Sequence, residues 1–187
     1  MRYSVIVLSL CCLLNGTIAS AEKKAVPLQK PLEYYKQAEA LSEFRNTRQV
    51  SMNEINAMMQ QDKNTVLLDT RGDEDFARLH IRGAKHLSYA DMTTDRLEKM
   101  FPDKNTRIIV YCDSAIMSPL TRMMPLSTNA FVDLHMYGYK NIYEMRSAMR
   151  VQPYIKQCQE ILDIPFEGDA SVIASKKQAA VQCLSSH

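Results

Sequence analysis

Residues 67–76 have the sequence LLDTRGDEDF, an apolar run that ends in a charged turn. The segment HIRGA follows at 80–84, and a second apolar run, RIIVY at 107–111, leads directly to Cys112. Short apolar runs without alternation are typical of strands that are covered on both faces. In sheets of such strands, ligands bind outside the carboxyl ends. The pattern therefore predicts that one of these strands presents a thiol at a ligand-binding edge.

The remaining chain alternates between helical and strand patterns. An amphipathic helix is predicted over 31–44, and Ser51 with Glu54 three residues later predicts a capping box and a second helix. Ser127 is a plausible cap for a helix over 129–137, since Gly138 stands just past its end. Further segments are predicted as a helix at 92–100, a strand at 141–145, and tail helices near 154–162 and 175–184. This alternation predicts an α/β fold with a parallel sheet.

Taken together, the Asp69-x-Arg71 pair at the first strand end, His80 and Cys112 resemble the rhodanese-like sulfurtransferase family. The resemblance covers residues 50–145, roughly half of the chain. It implies a three-layer fold with a central, mostly parallel sheet flanked by helices, in which Cys112 carries sulfur as a persulfide. It also implies structural roles for Asp69, Arg71 and His80. The loop that would cradle the sulfur consists of Asp113, Ser114, Ala115, Ile116, Met117 and Ser118.

This loop departs from the family pattern in several ways. Active members commonly carry Gly where this chain has Ala115 and a basic residue where it has Met117, so an anionic donor such as thiosulfate lacks its usual partner. Asp113 adds a negative charge beside the sulfur, and Pro125 must interrupt any helix that begins after the loop. The sixth residue after the Cys is Ser118, whereas phosphatases of related fold need Arg there to hold the phosphate. We therefore do not expect phosphatase or arsenate reductase activity of that type.

The N-terminus has the pattern of a secretory signal peptide. Arg2 precedes an apolar run at 5–14, and Ala19-Ser20-Ala21 forms a small-residue cleavage site. The run is too short for a membrane span, which needs about 20 residues, and no later segment is longer. We expect a secreted or periplasmic protein whose mature chain starts near Glu22. A lipoprotein anchor at Cys11 or Cys12 is the alternative. The predicted divisions are 1–21 signal peptide, 22–49 N-terminal extension, 50–150 rhodanese-like domain and 151–187 helical tail.

Charge and composition limit the classes of partner that the sequence predicts. The chain has 23 Lys and Arg against 21 Asp and Glu, and loss of Arg2 with the signal peptide leaves one net positive charge. This near balance gives no reason to expect nucleic acid or an anionic membrane as partner. The Met residues are scattered at core-like positions and the acids show no ligand spacing, so we expect no metal and no cofactor. The expected partner is a small sulfur donor or thiol acceptor, or a protein.

Three of the five Cys follow the signal peptide, and an odd number in an oxidising compartment leaves one outside any intramolecular pair. The simplest partition joins Cys158 to Cys183; in the alternative, a tail Cys resolves an oxidised Cys112. Three functions follow for Cys112. The preferred function is sulfane-sulfur transfer, and the alternatives are a non-catalytic binding module and a thiol-redox protein.

Overall fold

A computed structural model describes residues 31–113, 126–146 and 154–185, with side chains in the last range from Cys158 onwards. The predicted signal peptide at 1–21 and the predicted loop residues Ser114, Ala115, Ile116, Met117 and Ser118 lie outside these ranges, as does Pro125. None of the described helices is long and apolar enough to cross a membrane.

The described strands are β1 (Gln49–Val50), β2 (Val66–Asp69), β3 (Leu79–Ile81), β4 (Lys85–His86), β5 (Ile108–Tyr111), β6 (Ile142–Met145) and β7 (Phe166–Gly168). Five of them form a central sheet in the order β1-β6-β5-β2-β4, in which every neighbouring pair is parallel. The other two, β3 and β7, form an antiparallel pair. Strand β5 lies in the middle of the sheet, so its carboxyl end has strands on either side.

Helices flank this sheet. They are α1 (Pro31–Ala40), α2 (Ser42–Asn46), α3 (Met52–Gln61), α4 (Asp73–Arg78), α5 (Thr94–Met100), α6 (Leu126–Met136), α7 (Tyr154–Asp163) and α8 (Ala170–Ser185). The predicted capping box is confirmed, because the Ser51 side chain accepts from the Glu54 amide while the Glu54 carboxylate accepts from the Ser51 amide. The prediction of Ser127 as a cap is wrong: α6 already begins at Leu126, which places Ser127 in its first turn.

Side chains alternate along β2 and β5 between two separate cores. Leu67, Ile109 and Tyr111 pack in one core, with residues of α3 and the tail. Leu68, Ile108 and Val110 pack in the other, with residues of α5 and α6. Because both faces are covered, polar alternation is absent from these strands. The predicted α/β fold, a parallel sheet between two helical layers, is confirmed.

The tail belongs to this packing. Strand β7 pairs with β3, and Val172 and Ile173 of α8 pack against the core that contains Tyr111. Gly168 has a φ of +126°, and a Cβ there would meet the Arg78 carbonyl. The close approach of β7 to the chain before β3 therefore requires glycine at this position. Cys158 and Cys183, which the sequence analysis pairs, are joined by a disulfide with Cα atoms 6.2 Å apart. The tail therefore covers one face of the sheet next to the end of β5.

Candidate functional site

Cys112 is the first residue after the central strand β5. It is 2% exposed, and its sulfur is not part of a disulfide. The strand end is held by Thr70, which follows β2: its backbone N–H and its hydroxyl both donate to the Tyr111 carbonyl, at 3.1 and 3.0 Å. Two neighbouring strand ends are thus joined immediately before the thiol. This rigid support places the sulfur at the carboxyl edge of the sheet, where ligands of such folds bind.

One buried ion pair lies on the β2 side of the thiol. Arg71 Nη2 donates to Asp69 Oδ2 at 2.7 Å, and Arg71 Nε donates to Asp69 Oδ1 at 3.0 Å. Arg71 Nη2 also donates to the Leu79 carbonyl, which ties the turn to β3. Burial opposes the guanidinium charge, but the hydrogen bonds and charge of Asp69 outweigh it and raise the pKa of Arg71. The side chains of the predicted Asp69-x-Arg71 pair therefore bind each other in the turn that follows β2.

Asp113 faces this ion pair. Its carboxylate lies 3.4 Å from Arg71 Nη1 and its side chain is 43% exposed. Burial raises the pKa of the Asp113 carboxyl, and the charge of Arg71 opposes that rise. Lys176 of α8 adds a second cation near Asp113: burial lowers the pKa of its ammonium, while the Asp113 charge partly restores it. The negative charge that the sequence predicts beside the sulfur is thus accompanied by two cations.

A second polar network, which the sequence analysis did not identify, lies on the β6 side. The Cys112 thiol donates to Ser127 Oγ at 3.3 Å, and the Ser127 hydroxyl donates to Glu144 Oε1 at 2.8 Å. Glu144 is in β6 and is 2% exposed. Its carboxylate also accepts from the Thr128 hydroxyl at 3.1 Å and lies 2.5 Å from Arg45 Nε of α2. The thiol is therefore connected to a buried charged group.

One signal for this network was present in the sequence. Glu144 is a charged residue inside a run, Ile142-Tyr143-Glu144-Met145, that is otherwise typical of a buried strand. A carboxylate at such a position requires a partner. The partner was not apparent because Arg45 belongs to the N-terminal extension, and Ser127 was interpreted as a helix cap.

His80 belongs to a separate aromatic cluster. Its ring stacks on Phe76 with ring centroids 4.0 Å apart, and its Nδ1 lies 2.8 Å from the Phe76 carbonyl oxygen. His86 stacks on Phe76 at 4.6 Å, and its Nε2 lies 2.8 Å from the Arg71 carbonyl oxygen. The cluster braces the turn that carries Arg71, a geometry that suits the structural role expected of His80.

Among residues 31–113, 126–146 and 154–185, no group of three His, Cys, Asp or Glu is arranged to hold a metal ion. The chemistry that these residues offer is that of a buried thiol whose hydrogen-bond network leads to a buried carboxylate.

Three solved structures and one family model are similar to this chain. The rhodanese-like domain of the Anabaena sp. protein Alr3790 is 19% identical, with 68% of this chain and 82% of that chain covered and a TM-score of 0.49. The polysulfide-sulfur transferase homodimer of Wolinella succinogenes is 17% identical, with coverages of 74% and 90% and a TM-score of 0.47. A thiosulfate sulfurtransferase from Pseudomonas aeruginosa is 18% identical, with coverages of 80% and 27% and a TM-score of 0.49. No curated protein matches in sequence. A family model for the rhodanese-like domain matches residues 51–150, more than half of the 187, so the chain belongs to the rhodanese-like domain family.

Proposed function

We propose that this rhodanese-like protein transfers sulfane sulfur through a persulfide on Cys112. The observation that carries the proposal is the position of this thiol: it directly follows the central strand, at the edge of the sheet where ligands of such folds bind, and it contacts a polar network that includes the Glu144–Arg45 ion pair. Buried Cys residues that are not part of a disulfide are often inert. Here, however, the thiol contacts Ser127, which in turn donates to the buried carboxylate of Glu144, an arrangement that is unusual for a residue that only fills space.

The reaction would proceed in two transfers. In the first, the Cys112 thiolate attacks the outer sulfur of a donor persulfide; the new S–S bond forms on Cys112 while the donor's S–S bond breaks, and the donor leaves as a thiolate. In the second, an acceptor thiolate or cyanide attacks the outer sulfur on Cys112, and the Cys112 thiolate leaves. No external oxidant or reductant is needed, because the sulfane sulfur moves at a constant oxidation state.

The charge of the site favours a persulfide donor over thiosulfate. Met117 stands where a basic residue is usual, and Asp113 is acidic. Arg71 is already engaged by Asp69 and Asp113, so its charge is largely balanced. A dianion such as thiosulfate would gain little from this site, whereas a neutral or bulky persulfide needs no such partner.

The test is the peptide-mapped mass of the protein after separate incubations with thiosulfate and glutathione persulfide. We expect one added sulfur on Cys112, removable by cyanide, and more of it from the persulfide. The Cys112→Ser variant should gain none at that position and supplies the control. If Cys112 gains no sulfur from either donor, yet is alkylated once the protein is unfolded, transfer through this thiol is wrong.

The second candidate function is a non-catalytic protein-binding module. It is favoured by the 2% exposure of Cys112, because a nucleophile needs access to its substrate. Binding to a partner protein should survive Cys112→Ser, whereas sulfur transfer should not. A thiol-redox role is less well supported, because both tail Cys are engaged with each other in the disulfide. That role would need a thiol from another molecule.

We also propose that the protein is exported through residues 1–21, since these residues have the pattern of a cleavable signal peptide. Amino-terminal sequencing of the protein recovered outside the cytoplasm should give a start near Glu22. Recovery of an intact amino terminus from the cytoplasm would contradict export.

A further inference from the structure

The hydrogen bonds between Cys112, Ser127 and Glu144 all run in one direction in this structure, from the sulfur towards the carboxylate. A serine hydroxyl has one proton to donate and accepts through its lone pairs. The Ser127 proton is directed to Glu144 Oε1, at 2.8 Å. Towards Cys112, 3.3 Å away, Ser127 can therefore only accept, and the sulfur must be the donor. This arrangement is satisfied by a neutral thiol and is not satisfied by a thiolate, which has no proton to give.

The Glu144 carboxylate is held in place from several sides. Arg45 Nε lies 2.5 Å from Oε2, although its N–H is not aligned with an acceptor. Thr128 donates to Oε1, and Gln49 Nε2 donates to Oε2 at 3.4 Å. Arg45 and Gln49 precede the 51–150 region that the family model matches. The N-terminal extension therefore helps to set how strongly Glu144 accepts the hydrogen bond from the Ser127 hydroxyl.

We propose that Ser127 and Glu144 are positioning residues that keep the resting Cys112 as a neutral thiol. In this proposal the sulfur becomes a nucleophile when the Ser127 hydroxyl rotates and donates to it instead of to Glu144. No covalent O–H bond is broken in that rotation; the thiol proton leaves to solvent, and Glu144 keeps its bonds to Thr128 and Gln49 and its ion pair with Arg45. The inference rests on the proposed function for its purpose, but it concerns only the proton on Cys112.

Other charged groups are present around Cys112 and Glu144. Asp113 is adjacent in the chain, Arg71 and Lys176 offset its charge, and Arg45 offsets that of Glu144. The network makes an asymmetric prediction. Replacing Glu144 by a neutral residue should favour the thiolate, while removing Arg45 should disfavour it.

The test is the titration of Cys112 by its thiolate absorbance at 240 nm, with the Cys112→Ser form of each variant as its blank. This readout needs no access to the sulfur and no sulfur transfer. For Glu144→Gln we expect a midpoint about one pH unit lower than in the unsubstituted protein, which is about tenfold more thiolate below the midpoint. For Arg45→Met we expect a higher midpoint. Asp133→Asn is the matched control, since this half-buried carboxylate of α6 accepts from Tyr89 and not from Ser127.

A second comparison tests the role of the hydroxyl. In a Ser127→Ala background, Glu144→Gln should move the midpoint by less than half as much, because the two residues act through one hydrogen bond. An equal shift would assign the effect to the charge of Glu144 alone and overturn the role of Ser127. An unchanged or higher midpoint in Glu144→Gln would overturn the proposal, and if that variant does not fold, a lower midpoint in Arg45→Met would do so. Failure of sulfur transfer with the expected shifts would reject only the proposed function.

Discussion

Two ion pairs flank the end of β5, Asp69 with Arg71, which is buried, and Glu144 with Arg45, which is partly buried, and they differ in how completely their groups satisfy each other. The Asp69 and Arg71 side chains are 0% and 2% exposed and share several aligned hydrogen bonds. The Glu144 and Arg45 side chains are 3% and 13% exposed, and they touch without an aligned hydrogen bond. Glu144 instead accepts from three neutral side chains, Ser127, Thr128 and Gln49.

This difference indicates that the Asp69–Arg71 pair supports the structure of the site, whereas the Glu144 network can influence the thiol. A bidentate pair such as Asp69 and Arg71 uses up its donors and acceptors and fixes the geometry of its turn. The Glu144 network is shared among several hydroxyl and amide groups, and one of these, Ser127, also contacts the sulfur. A hydroxyl can change its acceptor by rotating, whereas a bidentate ion pair must break to do so. The β2 side therefore holds the site together, and the β6 side is the one that can respond.

The largest expected effect comes from breaking the buried ion pair between Asp69 and Arg71, here called the closed pair. Asp69→Ala leaves the Arg71 charge buried with only the partly exposed Asp113 nearby, and such uncompensated charges cost about 3–5 kcal/mol. The loss should appear as a lower free energy of unfolding in urea. Asp73→Ala, at an 87% exposed carboxylate, is the control and should change stability by less than about 0.5 kcal/mol. A loss for Asp69→Ala no larger than the control would show that Arg71 is not dependent on Asp69.

This closed pair is also the part of the site that the sequence predicts best. Asp69 and Arg71 are two residues apart, directly after an apolar run, so the residues that interact can be identified within one short segment. The same holds for the Ser51 capping box and for the strands around Leu67 and Ile109, whose patterns are local. The fold class and the position of Cys112 at a strand end follow from such local patterns.

The hydrogen-bond network around Glu144 could not be predicted in the same way. Gln49 and Glu144 are 95 residues apart, and they meet because β1 pairs with β6 in parallel. That pairing depends on the packing of the whole sheet, and β1 has only two residues, too few for a periodic pattern. Strand β7 was missed for a related reason: its three residues become a strand only by pairing with β3. Sequence patterns indicate elements, whereas these contacts arise from tertiary structure.

A smaller effect on stability is expected from breaking the ion pair between Arg45 and Glu144. Arg45→Met should lower the free energy of unfolding by about 2 kcal/mol, since Glu144 loses its ion pair but keeps three neutral donors. Adding Glu144→Leu should recover only part of that loss, because it removes the unpaired charge but leaves Ser127, Thr128 and Gln49 without their acceptor. Urea unfolding of the two variants measures this difference. Arg82→Met, whose side chain is 65% exposed, is the control and should have an effect below about 1 kcal/mol. A double variant less stable than Arg45→Met would mean that Glu144 is stabilising without its arginine.

The smallest expected effect concerns Asp113, the carboxylate between the first pair and the thiol. Its pKa is raised above the ordinary 3.8, mainly by burial, so the folded state binds this proton more tightly than the unfolded state does. That contribution to stability is complete below the unfolded pKa and is lost as pH rises through the folded pKa. Asp113→Asn should therefore match the unsubstituted protein at about pH 3 and exceed its stability towards pH 7, by less than about 1 kcal/mol because the side chain is 43% exposed.

Urea unfolding of both proteins across that pH range measures the difference, with Glu39→Gln on the exposed surface of α1 as the control. The Asp113→Asn variant also sharpens the comparison between the two ion pairs. If Arg71 is satisfied by Asp69, loss of Asp113 should cost nothing at neutral pH. A loss of stability that grows with pH would show instead that Arg71 depends on Asp113. The β2 side would then be a three-residue network that reaches the residue next to the sulfur, and it would no longer differ in kind from the Glu144 side.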